Sequence, residues 1–322
     1  MVMKQPLIIL TGPTAVGKTA LSIQLAKALG GEIISADSMQ VYRHMDIGSA
    51  KITVGQMQGI AHHLIDVLEP DEEFNVVRFQ TLARAALKDI RQRGKIPVIV
   101  GGTGFYIQAL LYDIDFTENP GRPDVRKELE HLGETRGSEY LHQMLLQVDP
   151  ESAGLIHAHN IKRVIRAIEY YQLTGRPISG HNREQRKKAS PYRFYYYVLN
   201  CERPLLYEQI NRRIDQMMEQ GLVTEVKRLK EAGCSRGMVS MQGLGYKEIL
   251  DYLDGRLSLS EAIAVLKRDT RHFAKRQLTW FKRERDVRWL NLEDFNHDRQ
   301  AVLVHILDEF FREEKAAKEE QR

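Results

Sequence analysis

Eight consecutive residues, Gly12-Pro13-Thr14-Ala15-Val16-Gly17-Lys18-Thr19, can hold a polyphosphate before anything else about the chain is known. Gly12 and Gly17 let the backbone curl until its N–H groups converge on phosphate oxygens at a helix N-terminus. Lys18 adds a point charge, and the Thr19 hydroxyl can reach a magnesium ion. The loop does not say which phosphate compound it holds, nor whether that compound is hydrolysed for energy or used as substrate. A second cluster, Asp37-Ser38-Met39-Gln40, follows the apolar run Glu32–Ser35. An aspartate placed there can bind magnesium, can accept a proton from an attacking nucleophile, or can simply cap a helix. A third, Gly101-Gly102-Thr103-Gly104-Phe105-Tyr106, has glycines that allow a ligand close to the backbone, although such a turn alone serves packing as readily as binding. One omission matters as well. The run Ile96–Val100 ends in glycines, with no acidic residue where an ATP hydrolase holds its magnesium-associated aspartate. This favours a diphosphate-bearing substrate over a motor and leaves a small-molecule kinase open. His62-His63 followed by Asp66 lacks a cysteine or third histidine at ligand spacing, so a zinc site is not expected.

These clusters need elements to place them. Apolar runs at Leu7–Leu10, Glu32–Ser35, Ile96–Val100, Phe194–Leu199 and Val287–Leu290 read as strands, with helical patterns between the first three. That alternation indicates an α/β fold, a P-loop NTPase-like parallel sheet flanked by helices, whose carboxyl edge gathers all three loops. Leu21, Leu25 and Leu29 give the helix after the phosphate loop its apolar face, and Asn75–Arg93 places Phe79, Leu82, Ala86 and Ile90 on one side of a crossover helix. Pro120-Gly121-Arg122-Pro123 marks a break, after which the pattern is helical and charged with no strand signal. The expected organisation is a first part of the core over 1–115, an inserted mainly helical subdomain over 116–192, and core completion with C-terminal helices over 193–322. Pro204 begins a helix carrying Leu206, Ile210, Ile214 and Met217 inward, and Ser258-x-x-Glu261 is a capping box opening a long helix whose apolar face reads as Ile263, Leu266, Phe273 and Trp280. Glu313–Arg322 shows no apolar stripe and is expected to be a frayed, solvated end.

Composition sets the remaining bounds. With 322 residues, 43% hydrophobic and 28% charged, the chain can bury a sizeable core, and no apolar stretch approaches membrane length, so a cytoplasmic protein without a membrane partner is expected. Cys201 and Cys234 are far apart and suit a reducing compartment. A net charge of +4 decides nothing, but its distribution is uneven. On Asn160–Leu173 the apolar residues Ile161, Val164, Ile165 and Ile168 form one face while Lys162, Arg163 and Arg166 project elsewhere. On Leu266–Arg285 the residues Lys267, Arg271, Lys275 and Lys282 share a stripe. One such helix is usually only a solvated face; two together argue for a polyanionic partner.

The segments GPTAVGKT, DSMQVYRHMDIGSAK from Asp37 to Lys51, AHHLID from Ala61 to Asp66, GGTGFY from Gly101 to Tyr106, NIKRVIRAIEYY from Asn160 to Tyr171 and TRHFAKRQLTWF from Thr270 to Phe281 together closely resemble the bacterial tRNA dimethylallyltransferase (tRNA isopentenyltransferase) family. The resemblance runs from about Leu7 to Phe281. It implies transfer of a dimethylallyl group from dimethylallyl diphosphate to the exocyclic amine of the adenosine 3′ of the anticodon in tRNA, with Mg2+ as cofactor and a monomer as the default state. It further implies that Gly12, Pro13, Thr14, Ala15, Val16, Gly17, Lys18 and Thr19 hold the diphosphate, that Thr14 and Arg213 join Lys18 around it, and that Thr19 meets the magnesium. Asp37, the candidate base, would act beside Ser38, Met39, Gln40 and Thr103 at the accepting nucleotide, and Ile161, Lys162, Arg163, Val164 and Ile165 would form the tRNA-contacting stretch. Arg212 is adjacent to Arg213, and the residues alone do not choose between them. The rival readings are a P-loop small-molecule kinase, with Asp37 activating a hydroxyl, and a nucleotide-gated RNA-binding protein without catalysis.

Overall fold

The structure, a computed structural model, describes residues 5–116 and 123–319. The described chain divides into two compact units, Met1–Leu110 with Tyr192–Arg322, and Leu111–Pro191. The first unit begins with β1 (Pro6–Thr11), α1 (Lys18–Leu29) and β2 (Glu32–Ala36). It continues through a short turn α2 (Val54–Met57), the two-residue β3 (His62–His63), α3 (Val76–Gln92), β4 (Pro97–Gly101) and α4 (Gly104–Leu111). Leu7–Leu10 and Ile33–Ile34 are buried, which is why these strands read as continuous apolar runs: in a parallel sheet covered on both faces there is no polar side to alternate with. Asn75 caps α3 through its side chain, accepting from the Arg78 N–H at 3.0 Å, and Phe79, Ala83, Ala86 and Ile90 turn inward.

The second unit contains α5 (Pro123–Arg136), α6 (Ser138–Val148), α7 (Pro150–Leu155), α8 (Ile161–Thr174) and α9 (Ile178–Lys187). Its core is Leu129, Leu141, Leu145, Ala153, Val164, Ile165 and Ile168. Asp149, itself buried, caps α7 by accepting from the Ser152 N–H at 3.0 Å and also accepts from the Ser179 N–H at 2.9 Å, which ties α9 to the same turn. Of the expected break, Pro120, Gly121 and Arg122 lie outside the described residues, and Pro123 opens α5.

The first unit resumes with β5 (Arg193–Asn200), α10 (Arg203–Glu219), α11 (Leu222–Glu231), α12 (Tyr246–Leu253), α13 (Leu259–Phe281), β6 (Val287–Asn291) and α14 (Arg299–Glu319). The sheet is parallel, in the order β3-β2-β4-β1-β5-β6. β1 lies between β4 and β5, with Ile8 opposite Val98 and Tyr195. β3 was not anticipated. It is fixed by Glu32, whose buried carboxylate accepts from His63 at 2.7 Å, Arg93 at 2.7 Å and Lys95 at 2.8 Å, interactions that hold its pKa down at about 2 against the cost of burial. His63 is thus a structural partner, and among the described residues no cluster of histidine, cysteine and carboxylate could hold a metal.

Three expectations change. The buried face of α13 is Ala262, Leu266, Ala274, Gln277 and Phe281, rotated from the expected one: Leu266 keeps its place, while Ile263, Phe273 and Trp280 are only partly buried. α14 runs to Glu319 and is anchored as far as Glu314, beyond which its residues are mostly exposed, as expected of a solvated end. Glu314 accepts from Arg193 at 2.5 Å and from the Tyr195 hydroxyl at 2.8 Å, while Phe310 packs edge-on against Tyr195. Ile161 is exposed and does not join the face of Val164, Ile165 and Ile168. Among the described residues no helix is long and apolar enough to cross a membrane.

Candidate active site

The phosphate loop is shaped by its neighbours. Thr11, the last residue of β1, donates its hydroxyl to the Gly101 carbonyl at 2.7 Å, joining the carboxyl ends of β1 and β4. Gly12 has φ 145, and a Cβ there would lie 2.2 Å from the Leu199 carbonyl oxygen, so only glycine fits. Ala15 adopts φ 67, a left-handed conformation in a non-glycine residue and a local strain that the surrounding loop must hold. Gly17 begins α1 at φ 98. No side chain caps this helix and none of its first turn is acidic, so the helix start presents N–H groups and positive potential to a ligand. Thr19 is exposed at the rim.

Lys18 folds back over the loop, donating to the Gly12 carbonyl at 2.9 Å and the Pro13 carbonyl at 2.7 Å. Burial, then the nearby Arg213 guanidinium, push its pKa down to about 7; Asp37 opposes the shift. Burial also lowers Arg213, with Asp37 again opposing. Two cations from β1–α1 and α10 therefore lie near enough to the carboxylate at the end of β2 to interact with its charge, without forming an ion pair with it. Helix geometry separates Arg212 from Arg213. Arg212 points to solvent and pairs with Glu208 one turn back at 2.6 Å, while Arg213, one residue on, turns toward Lys18 and Asp37.

Asp37 does not cap a helix, as one of its readings had it, because no helix follows it before Val54; it caps a tight turn instead. Its Oδ1 accepts from the Met39 N–H at 2.8 Å and the Gln40 N–H at 3.3 Å, ordering its own loop, and its Oδ2 has no partner among the described residues. Ser38 and Met39 are half-buried, and the Gln40 amide donates to the Ser49 and Ala50 carbonyls at 3.4 and 3.5 Å. Thr103 donates its N–H to the Ala36 carbonyl at 3.3 Å, and its carbonyl accepts from Tyr106 at 2.9 Å to start α4. Gly101 makes this approach possible, since a Cβ there would meet the Ala36 carbonyl oxygen at 2.3 Å. Thr14, Lys18, Asp37, Thr103 and Arg213 therefore lie on elements joined at one rim. Ile161, Lys162, Arg163, Val164 and Ile165 belong to the second unit; Val164 and Ile165 are buried there, so only Ile161, Lys162 and Arg163 present side chains at its surface. On α13, Lys267 pairs with Asp215 at 2.5 Å and Arg271 donates to Asn211 at 2.8 Å, which leaves Lys275 and Lys282 as the exposed cations of that stripe.

Several residues that organise the site carry no motif of their own. Glu225 on α11 accepts from the backbone N–H groups of Asp46, Ile47 and Gly48 at 3.0, 2.8 and 3.1 Å and from the Tyr246 hydroxyl at 2.8 Å. Lys51 donates to the Tyr42 carbonyl at 2.6 Å and to Asp46 and Asp66 at 2.7 and 2.5 Å. Together they hold the segment after Asp37. Gln277 on α13 reaches two loops, accepting from the Thr14 N–H at 2.9 Å and donating to the Gly102 carbonyl at 3.0 Å. Nothing in the sequence marked Gln277, which lies off the apolar face expected of α13.

The chain matches the family model described as IPP transferase over residues 40–284 and that described as isopentenyl transferase over residues 5–69. It is 62% identical over 307 residues to a protein named tRNA dimethylallyltransferase from Lachnoclostridium phytofermentans, covering 95% of this chain and 98% of that one. Among solved structures it is similar to the full-length tRNA isopentenylpyrophosphate transferase from Bacillus halodurans, with 43% identity, 98% of this chain and 100% of that chain covered and a TM-score of 0.73. It is also similar to a eukaryotic dimethylallyltransferase described as acting on tRNA, with 30% identity, 96% and 80% covered and a TM-score of 0.82.

Proposed function

Because the chain belongs to the IPP transferase family, we propose that it is a tRNA dimethylallyltransferase, joining the dimethylallyl group of dimethylallyl diphosphate to the exocyclic amine of the adenosine 3′ of the anticodon and releasing diphosphate. The observation that carries the reading is the closeness of Lys18 and Arg213 at the phosphate loop to an Asp37 carboxylate that keeps one oxygen unpartnered. When the allylic C–O bond breaks, negative charge grows on the leaving diphosphate. Preformed N–H donors and two partly desolvated cations stabilise that charge more than they stabilise the ground state, which is what lowers a barrier. The adenine amine is a weak nucleophile because its lone pair is delocalised into the ring. As nitrogen bonds to the allylic carbon, its proton passes to Asp37 Oδ2, while the Oδ1 bonds to Met39 and Gln40 hold the carboxylate in place.

Magnesium fits this site in a limited way. The protein offers the exposed Thr19 hydroxyl and, among the described residues, no carboxylate cluster, a donor set suited to an ion bound chiefly through diphosphate oxygens and water. Such an ion would neutralise charge on the leaving group. Lys162 and Arg163, exposed on α8, supply phosphate contacts to the tRNA. The adenine must leave its stack to reach the rim, which an anticodon loop allows more readily than a duplex. A monomer working in the cytoplasm suits this role.

Incubating the protein with unmodified tRNA and labelled dimethylallyl diphosphate, and separately with labelled ATP and nucleosides, tests the reading. Label in tRNA supports it; phosphate transfer from ATP would identify a kinase instead. Asp37→Asn is expected to lower turnover by about 10²–10⁴-fold with tRNA affinity little changed. Near-normal turnover would remove the base assignment.

A further inference from the structure

We propose that Gln277 is a positioning residue that fixes the spacing between the leaving-group loop and the acceptor loop; the catalytic part of this proposal rests on the transferase reading above. Its side chain is buried, with only 6% of the residue exposed, and both ends of its amide are used. Oε1 accepts from the Thr14 N–H at 2.9 Å, within the loop that follows β1. Nε2 donates to the Gly102 carbonyl at 3.0 Å, within the loop that follows β4 and carries Thr103. A planar amide has a constant separation between its oxygen and nitrogen, so it acts as a strut of set length between the two loops. The Thr14 N–H is thereby bound to protein and not left for phosphate, and its place does not depend on a ligand being present.

Gly102 completes the device. A Cβ at this position would lie 2.1 Å from Nε2 of Gln277, so any side chain there displaces the amide. Gly104 has the same relation to Trp280 one turn along α13, where a Cβ would lie 2.2 Å from Cδ1 of the indole. The acceptor loop is therefore pressed onto α13 at two points, and at one of them the contact continues through an amide into the phosphate loop. In-line transfer needs the allylic carbon and the adenine nitrogen aligned to within a fraction of an ångström. A misplacement of about 1 Å can cost about 100-fold in rate.

The test combines kinetics with hydrogen exchange. Gln277→Leu keeps the volume and removes both bonds. It is expected to lower kcat about 100-fold while KM for dimethylallyl diphosphate and for tRNA each stay within about threefold. In the ligand-free protein, peptides containing Thr14 and Gly102 should both exchange faster, a readout that does not depend on which reaction the enzyme performs. Gly102→Ala alone should reproduce the kcat defect. Gln277→Ala/Gly102→Ala should be no worse than Gln277→Ala alone, because the strut is lost once. If Gln277→Leu does not fold, Gln277→Glu retains an acceptor for Thr14 and lacks a donor to Gly102, and faster exchange at Gly102 with protection kept at Thr14 is the expected result. Unchanged exchange at both loops, a kcat within about twofold of the parent, or defects of Gly102→Ala and Gln277→Ala that multiply would each overturn the proposal. A parent protein that fails to label tRNA would overturn the transferase reading and leave the exchange experiment to decide the strut.

Discussion

Raising the pH above neutrality should weaken diphosphate binding through the loss of charge on Lys18. Burial and Arg213 hold the free lysine at about 7. A bound diphosphate offsets both effects, adding negative charge beside the amine and drawing its pKa back toward the ordinary lysine value. Below about 7 the amine is already charged and binding needs no proton. Above it, each binding event must take up a proton, so affinity falls about tenfold per pH unit until the pKa of the bound form is reached. Between pH ~7.5 and pH ~9 this amounts to roughly 25-fold, or about 1.9 kcal/mol. Inorganic diphosphate titrated calorimetrically in buffers of different ionisation enthalpy reads both quantities as the difference between the parent protein and Lys18→Met, which cancels the ionisation of the diphosphate itself. At pH ~8 the uptake expected from Lys18 is about 0.9 proton per diphosphate bound. Lys18→Met should bind weakly at every pH, with that share of the uptake absent. Equal affinity across the range, or proton uptake undiminished in Lys18→Met, would refute the placement of Lys18 as a desolvated amine against the leaving group.

The remaining expectations are narrower. Arg213→Ala should reduce kcat/KM by at least about 10²-fold, as loss of a donor to developing charge does, while Arg212→Ala should change it less than about twofold; steady-state kinetics with both variants distinguishes the inward from the outward arginine. Replacing both Lys162 and Arg163 with alanine should weaken tRNA binding and reduce the slope of log affinity against log salt by about 1.5, measured by filter binding across salt concentrations. Glu284, which accepts from Gln108 at 3.1 Å, has its pKa raised by burial to about 7. The folded state thus binds more protons than the unfolded state between about 4.5 and 7, so this group's contribution to stability is greatest in acid and declines as pH rises through 7. Glu284→Gln should therefore stabilise the protein by about 1–2 kcal/mol at pH ~8 and by almost nothing near pH ~4.5, as denaturant unfolding would record.

The sheet was legible because its strands are buried on both faces. Leu7–Leu10 and Val98–Ile99 are apolar without interruption, and the glycines that follow mark the edge where loops approach a ligand. β3 was not legible, since two residues carry no period and His63 pairs there only because Glu32 is beneath it. The face of α13 misled for a related reason. Hydrophobicity ranks Ile263 and Phe273 above Ala274 and Gln277, but the glycines at positions 102 and 104 leave space for Gln277 and Trp280, so the face that turns inward is set by what lies opposite the helix. Lys18, Asp37 and Thr103 could be placed at one rim from strand order alone. Gln277 and Glu225 could not, because a polar side chain's partner across more than a hundred residues is set by the completed fold. Arg213 could be separated from Arg212 only once the axis of α10 was known.

The backbone at Gly12 has a consequence for how the protein is made. That residue is shaped against the Leu199 carbonyl in β5, and β5 lies on the far side of the second unit in chain order. During synthesis the ribosome releases β1, α1, β2 and β4 first, then all of residues 111–191, and only afterwards the strand that completes the wall behind the phosphate loop. The nascent chain therefore carries the whole phosphate-binding motif for many seconds without the surface that sets its geometry. Until β5 inserts, one side of β1 is an open edge, able to pair with another chain. The helical second unit, built from local contacts, can fold during that interval. Competence for diphosphate is thus a late event in the life of the chain, although the motif for it is among the first residues to emerge.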